Sequence, residues 1–434
     1  MQSVAKFLLP FFFLLLSSCI FGPVKELKSQ IEDSWTDEDI PKNPTRLAEN
    51  VPEASSKQLW RQNIGGEFLR NLEPAYCDGV IYVSNNEKSV YAIDATNGEI
   101  LWSRALDDKV SAGIICNENR LYFVTGNGFL WALSIDGITQ WKSFVGQILT
   151  KPLHHGDSVL VKTINNKFSS YNAGNGSLNW SYQSPSPPLL VKSWGGMVYS
   201  EETIYSGLPS GKIVALNFNT GALMWETTYS QPKGTSDIAR ANDTTSSPVI
   251  DEPFIYIASS KGNVASLDKK TGNIIWDRPL SSFYGISGFQ DYIIITHDSG
   301  AIYAVSKDTS EILWRNADFL NRDVKLGKFF QDKIMLGDYA GYLHFVDVET
   351  GKTSSRLKVA EKSIFNYISI EEDILVIDKS SNLTRIKITN SSPASSTSNL
   401  NNETNSELEK DTKIEQESAS QNEKSFIDDL IFWD

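Results

Sequence analysis

The sequence predicts an all-β protein: an eight-bladed β-propeller of four-stranded blades, with the ring closed by pairing an N-terminal strand with the C-terminal strands. Three observations carry this. A tryptophan recurs four residues after a glycine with a period near 40 residues. The stretches between tryptophans read as short strands rich in β-branched and aromatic residues, punctuated by turns. And the two ends of the repeat region are each incomplete in a way the other end completes.

At the N-terminus, Lys6 precedes an apolar stretch from Phe7 to Leu16, followed by Ser17-Ser18-Cys19. The run is too short to span a bilayer and has the build of a secretory signal. It resembles the bacterial lipobox, which implies a signal peptide over 1–18 and a lipidated Cys19. Ile20 stands where an Asp would resemble an inner-membrane retention signal, which favours the outer membrane. Residues 19–56 contain Pro23, Pro41, Pro44 and Pro52 among polar residues, a composition suited to an extended tether.

The propeller is expected over 57–389. Its clearest copy is Val90-Tyr-Ala-Ile-Asp94-Ala-Thr-Asn-Gly98-Glu-Ile-Leu-Trp102, and the pattern returns as Gly137/Trp141, Gly176/Trp180, Gly221/Trp225 and Gly272/Trp276. Ser310 replaces the glycine before Trp314, and Ser355 takes the tryptophan place after Gly351. With Trp60, the intervals to Ser355 are 42, 39, 39, 45, 51, 38 and 41 residues. Trp60, Trp102, Trp141, Trp180, Trp225, Trp276 and Trp314 are read as structural, each packing an outer strand against the next blade. Asp94, Asp268 and Asp347 recur at one place in the repeat and are expected to cap turns. After Ser355 the chain offers only three strands, near 366–370, 373–377 and 383–388. Trp60 has an outer strand and no inner ones. Joining them completes an eighth blade and removes two open edges.

Beyond residue 390 the chain is Ser/Asn/Glu-rich. Residues 391–434 hold ten acidic and three basic residues, so more than half of the formal charge of −13 lies there. This segment is expected to be a disordered acidic tail with an apolar end, Phe426-Ile-Asp-Asp-Leu-Ile-Phe-Trp433-Asp434. Cys77 and Cys116 each end the first strand of successive repeats. They are expected to be two buried free thiols rather than a disulfide.

Chemistry-bearing motifs are missing. There is no G-x-S-x-G, H-E-x-x-H, P-loop or full G-x-G-x-x-G, and the acidic balance argues against binding a phosphate backbone. Four histidines are poorly spaced for a metal; His154 and His155 are adjacent and should face opposite sides of a strand, and His344 lies in a repeat strand. No cofactor, no metal and no enzyme activity are expected. Two segments break the repeat instead: 183–194, with Pro185, Pro187 and Pro188, and 230–245, which accounts for the longest interval. Insertions on a scaffold are where function diverges.

At these residues the sequence resembles the outer-membrane protein assembly factor BamB family, propeller lipoproteins of the β-barrel assembly machinery. The resemblance covers about 59–388 and rests on the lipobox, the pyrroloquinoline-quinone-type repeats and two strings. One is Gln231-Pro-Lys-Gly-Thr-Ser-Asp-Ile-Ala-Arg240 with Ser247-Pro248; the other is Leu320-Asn-Arg322, Leu336-Gly-Asp338 and Gly341-Tyr-Leu-His344. It implies a non-enzymatic scaffold at the outer membrane that binds the periplasmic domains of the barrel-forming subunit BamA, and unfolded outer-membrane proteins as a further partner. The family's partner-binding residues carry over to Leu189, Val191 and Lys192 in the first insertion and Asp243 in the second. Lys192 replaces a usual Arg, and Thr245 a usual Asp. Other readings are a quinoprotein dehydrogenase, which would need adjacent cysteines and calcium-binding carboxylates, and an envelope-binding propeller with a different partner.

Overall fold

The structure is a computed structural model that describes residues 44–117, 119–185, 195–231 and 242–389. Cys19, the tail and Leu189, Val191 and Lys192 lie outside the described residues. Thirty-two strands form eight four-stranded antiparallel sheets. Blade 1 spans 75–105 (β2–β5), blade 2 115–144 (β6–β9), blade 3 153–183 (β10–β13) and blade 4 197–228 (β14–β17). Blade 5 spans 249–278 (β18–β21), blade 6 286–316 (β22–β25) and blade 7 328–358 (β26–β29). Blade 8 joins the two ends: β30–β32 (364–388) receive β1 (Ser56–Asn63) as their outer strand, with Ser56 opposite Ile388 and Asn63 opposite Asn382. Second and third strands are nearly continuous buried apolar runs, such as Val80–Ser84 and Ile374–Ile377, because both faces of each blade are covered by its neighbours.

The tryptophans do what their spacing predicts. In all seven, the indole Nε1 donates to a backbone carbonyl of the next blade at 2.7–3.2 Å: Trp60 to Ala95, Trp102 to Ile135, Trp141 to Ala173, Trp180 to Phe218, Trp225 to Lys269, Trp276 to Lys307 and Trp314 to Val348. The ring lies over the turn between the third and fourth strands of that blade. Gly98 there has φ +79, and a Cβ would come within 2.7 Å of the Trp60 ring, so glycine serves both the left-handed turn and the close approach. Opposite each tryptophan of blades 1–6 stands Ala or Ser, as in Ala92–Trp102 and Ser266–Trp276. The recurring acids cap the same turns, with Asp94 accepting from Thr96 N, Asp268 from Thr271 N and Asp347 from Thr350 N.

Ser355 departs from the rule for a physical reason. Its neighbour, blade 8, has no turn between third and fourth strands, because the two ends of the repeat region meet there. The N-terminal segment is nearby instead: Ala54 N donates to Arg356 O at 2.8 Å, Arg356 N to Pro52 O at 3.1 Å, and Glu53 bridges Arg356 in parallel. The volume is exchanged within blade 7, where buried Phe345 stands opposite Ser355 in place of the usual small residue.

Cys77 and Cys116 correct the expectation of free thiols. They form a disulfide between β2 (Ala75–Cys77) and β6 (Ile115–Cys116), with a Cα separation of 6.3 Å, and both are half-buried. Rotation about the propeller axis brings equivalent ends of adjacent first strands together, near enough for a bridge. A repeat period of 39 residues in the chain thus becomes a short distance in space.

Two stability predictions follow from this geometry. Replacing Trp225 by Ala should cost about 3 kcal/mol in urea unfolding, whereas Ser355→Trp should destabilise because the N-terminal segment and Phe345 already fill that place. The pair Cys77→Ser with Cys116→Ser should lower unfolding free energy by about 4 kcal/mol, and reductant should reproduce that loss in the unmodified chain but not in the variant.

Candidate functional site

In each antiparallel blade the second-to-third turns and the connections between blades fall at one end. Both insertions leave from that face: the first between β13 (Leu178–Gln183) and β14 (Met197–Ser200), the second between β17 (Leu223–Thr228) and β18 (Val249–Asp251). Their described bases touch. Gly196 N donates to Ser247 Oγ at 2.8 Å, and a Cβ on Gly195 would meet Ser246 O at 2.6 Å. Sequence spacing put these insertions one blade apart; the contact between their bases needed the fold.

Asp243, expected to be a partner contact, is 2% exposed. Its carboxylate accepts from Ser210 N at 3.0 Å, and its carbonyl from Ser260 N at 3.0 Å. Thr245 is also buried, its Oγ1 donating to Phe283 O at 2.9 Å. Beside Asp243 lies a cavity of about 460 Å³ lined by Leu69, Val110, Ile148, Leu208 and Lys162 among others. Lys162 is 4% exposed and donates to Gly207 O at 2.5 Å. Burial lowers its ammonium to about 8, with the Asp243 carboxylate acting the other way. Sequence reasoning missed Lys162, since a lysine ending a strand reads as solvated.

Arg70 in the connection into blade 1 reaches Asp323 in the connection into blade 7 with a two-pronged bond of 2.9 and 2.5 Å. Tyr284 and Lys325 donate to the same carboxylate at 2.8 and 3.0 Å, and the Arg70 guanidinium lies 4.9 Å from the Phe365 ring. This latch spans blade 8 from above and joins the ends of the ring a second time.

The second family-like string also converges. Arg322 donates to Asp338 Oδ2 through Nε at 3.0 Å and Nη2 at 2.5 Å, and His344 Nε2 lies 3.0 Å from the same oxygen. Burial works to raise the Asp338 carboxyl, but His344 and Arg322 overcome it and hold it below its ordinary value. Arg322 also donates to Thr45 O at 2.9 Å, Thr45 N to Leu320 O at 3.0 Å, and Arg356 to Ala48 O at 2.8 Å. The described N-terminal segment is therefore docked on blade 7 and the connection leading into it.

Among the described residues of this face, the nearest approach to a catalytic set is incomplete. Ser281 Oγ donates to Asp298 at 2.8 Å and lies 3.4 Å from His297 Nε2, while His297 Nδ1, the nitrogen a triad turns to a carboxylate, pairs with Ser299 Oγ at 2.8 Å. His154 and His155 do face opposite ways, stacking on Tyr122 of blade 2 and Tyr199 of blade 4. Among the described residues no group of three or more His, Cys, Asp or Glu could hold a metal ion. Cys77 and Cys116, separated by 39 residues, are not the adjacent pair of a quinoprotein dehydrogenase, so the residues present do not fit a calcium–quinone centre.

These features define an eight-bladed propeller of pyrroloquinoline-quinone-type repeats with a two-insertion face. The family described as outer membrane protein assembly factor BamB matches at residues 48–147 and 142–316, more than half of the chain. The chain belongs to that family. A BamB of Burkholderia pseudomallei is 29% identical over 323 residues, covering 74% of this chain and 85% of the relative. The crystal structure of BamB from Moraxella catarrhalis superposes with a TM-score of 0.70 at 22% identity, covering 77% of this chain and all of that one (100%). The quinohemoprotein alcohol dehydrogenase from Comamonas testosteroni shares the fold at TM-score 0.63 and 13% identity, covering 83% of this chain and 81% of that one. The nearer kinship is to assembly factors, and the chain is non-enzymatic.

The Arg322 cluster yields a pH-linked prediction. A carboxyl held low in the folded state contributes stability that is full above its unfolded value, about 4, and is lost as pH falls through the folded value. Arg322→Met should cost about 3 kcal/mol at pH 7 by stranding a buried carboxylate. Urea titrations from pH 7 to 3 should show a smaller acid-induced loss in the variant than in the unmodified chain.

Proposed function

We propose that the protein is a scaffold lipoprotein of the outer-membrane β-barrel assembly machinery. Lipid on Cys19 anchors it to the outer membrane on the periplasmic side, its insertion face docks the periplasmic domains of BamA, and it thereby aids insertion of outer-membrane proteins. The observation that carries this reading is the face itself. A ring of near-identical blades is interrupted twice, on one end only, and the bases of the two interruptions are bonded through Gly196 and Ser247. The relatives' name, outer membrane protein assembly factor, supports the same reading.

Leu189 and Val191 supply the apolar anchors and Lys192 a cation at their edge. An ammonium in place of guanidinium gives one point charge rather than a planar fork, so the anchors carry the larger share. Unfolded outer-membrane proteins are a further partner, met through backbone pairing at strand edges. The test is co-purification of BamA with a Leu189→Ala, Lys192→Ala double variant. Recovery should fall about tenfold or more with the unfolding midpoint unchanged. Full recovery would remove the first insertion from the docking site, and capture of a different envelope component would replace BamA as partner.

A further inference from the structure

Four segments far apart in the chain meet on the insertion face, where the first strands of blades 7 and 8, β26 (Lys328–Phe330) and β30 (Ile364–Ile370), lie side by side. Lys151, in the connection into blade 3, donates to Glu73, in the connection into blade 1, at 2.8 Å. Asn366 on β30 holds the residue before Glu73, its Nδ2 donating to Leu72 O at 3.2 Å. Lys328 completes the group by donating to Asn366 Oδ1 at 3.1 Å. The place is tightly built: a Cβ on Gly113 would come 2.8 Å from Glu73 Cβ and 3.0 Å from Lys151 Cδ.

The charges of this group do not balance. Two ammoniums, Lys151 and Lys328, share one carboxylate, and Lys151 already holds it. Lys328 is half-buried, and among the described residues no carboxylate pairs with it. Its one hydrogen bond goes to a neutral amide oxygen, and the Tyr367 ring lies 5.6 Å from its Nζ. An ammonium carries three N–H donors, so two of them have no acceptor among the described residues. Burial pushes the Lys328 ammonium below the ordinary lysine value; Glu73 opposes that shift and Lys151 adds to it. Burial works to raise the Glu73 carboxyl, but Lys151 and Lys328 together hold it below its ordinary value. A partly desolvated cation with donors to spare gains most from an anionic acceptor.

We propose that Lys328 and Lys151 form a seat for one oxyanion, a carboxylate or phosphate group, on the insertion face. Lys328 is the principal donor, with Asn366 orienting it from behind, and Lys151 lends the second positive charge. Glu73 fixes Lys151 in place and limits affinity, because its charge opposes that of the ligand. Free inorganic phosphate and an acidic side chain of a protein docked on this face both present the required chemistry, and the experiment separates them. The seat itself does not depend on the docking reading above.

The experiment titrates inorganic phosphate into the full chain at pH 7, with ionic strength held constant by chloride, and reads binding by calorimetry and phosphorus NMR line width. Lys328→Met should weaken binding about tenfold or more, and Lys328→Arg should restore it, since a guanidinium fork also suits an oxyanion. Glu73→Gln should tighten binding about tenfold by removing the opposing charge, a gain that a purely structural cluster would not give. Lys142→Met, which removes an exposed lysine of blade 2 paired with Asp107, should change nothing. If Lys328→Met folds poorly, Lys151→Met tests the same loss at a side chain 41% exposed. Absence of saturable binding, or equal binding in the Lys328→Met, Lys151→Met and Glu73→Gln variants, would overturn the proposal. Competition between phosphate and the soluble periplasmic domains of BamA would assign the seat to an acidic side chain of the docked partner. Saturable phosphate binding without competition would assign it to the free ion. Failure of those domains to bind at all, with phosphate still bound, would reject the docking reading and leave the seat standing.

Discussion

Everything in this protein depends on closing the ring. A blade of four strands cannot cover its own two faces, and each gains its cover from neighbours on both sides, so an open arc would leave two apolar sheets exposed. The closing contact is the pairing of β1 with β32, residues more than three hundred apart in sequence brought into register along seven paired positions. Long-range pairing of this kind carries a loop-closure cost before it returns any stability. The chain answers with several joints. Trp60 grips blade 1 through Ala95 O, Arg385 donates to the same carbonyl at 2.7 Å, Arg70 reaches Asp323 over blade 8, and Thr389 N bonds Ser55 O at 2.8 Å where the strands meet.

The N-terminal segment extends that logic to the one place the tryptophan device cannot work. An indole needs a turn to lie on, and the turn between third and fourth strands is absent from the blade built from both ends of the repeat region. Residues 45–55 fill the gap by backbone bonds to Arg356 and by the Arg322 carbonyl contact. The repeat's single missing tryptophan is therefore a mark of where the ring opens in sequence. Arg322, Asp338 and His344 then make the last full blade a fixed mount for the segment that leads towards Cys19.

How much of this was legible beforehand follows from the range of the forces involved. Periodicity is local, so Gly98 and Trp102, repeated with small drift, disclosed the blades, their number and the closing pair. The turn acids were legible for the same reason, each bonding two or three residues on. The disulfide was not, because Cys77 and Cys116 meet only after two blades are rotated about a common axis. Nor was Lys162: strand register decides whether a terminal lysine points to water or into a wall, and the wall is made by Gly207 and Asp243 from other segments. The strings around Arg322 and Asp338 could be recognised as a pattern, but their meaning as a tether mount required three distant segments in one place.

The division of labour in the site has the same origin. Repeats that lock one another through backbone carbonyls tolerate insertions only where no lock is made, which restricts them to connections between blades and to turns on the end opposite the tryptophan turns. The two insertions therefore share one face, opposite the end where the tryptophans lock the blades. Within that face, side chains near the channel are already committed: Asp243 to Ser210, Thr245 to Phe283, Asp323 to Arg70. The described bases of both insertions are thus held by the blades they leave and rejoin.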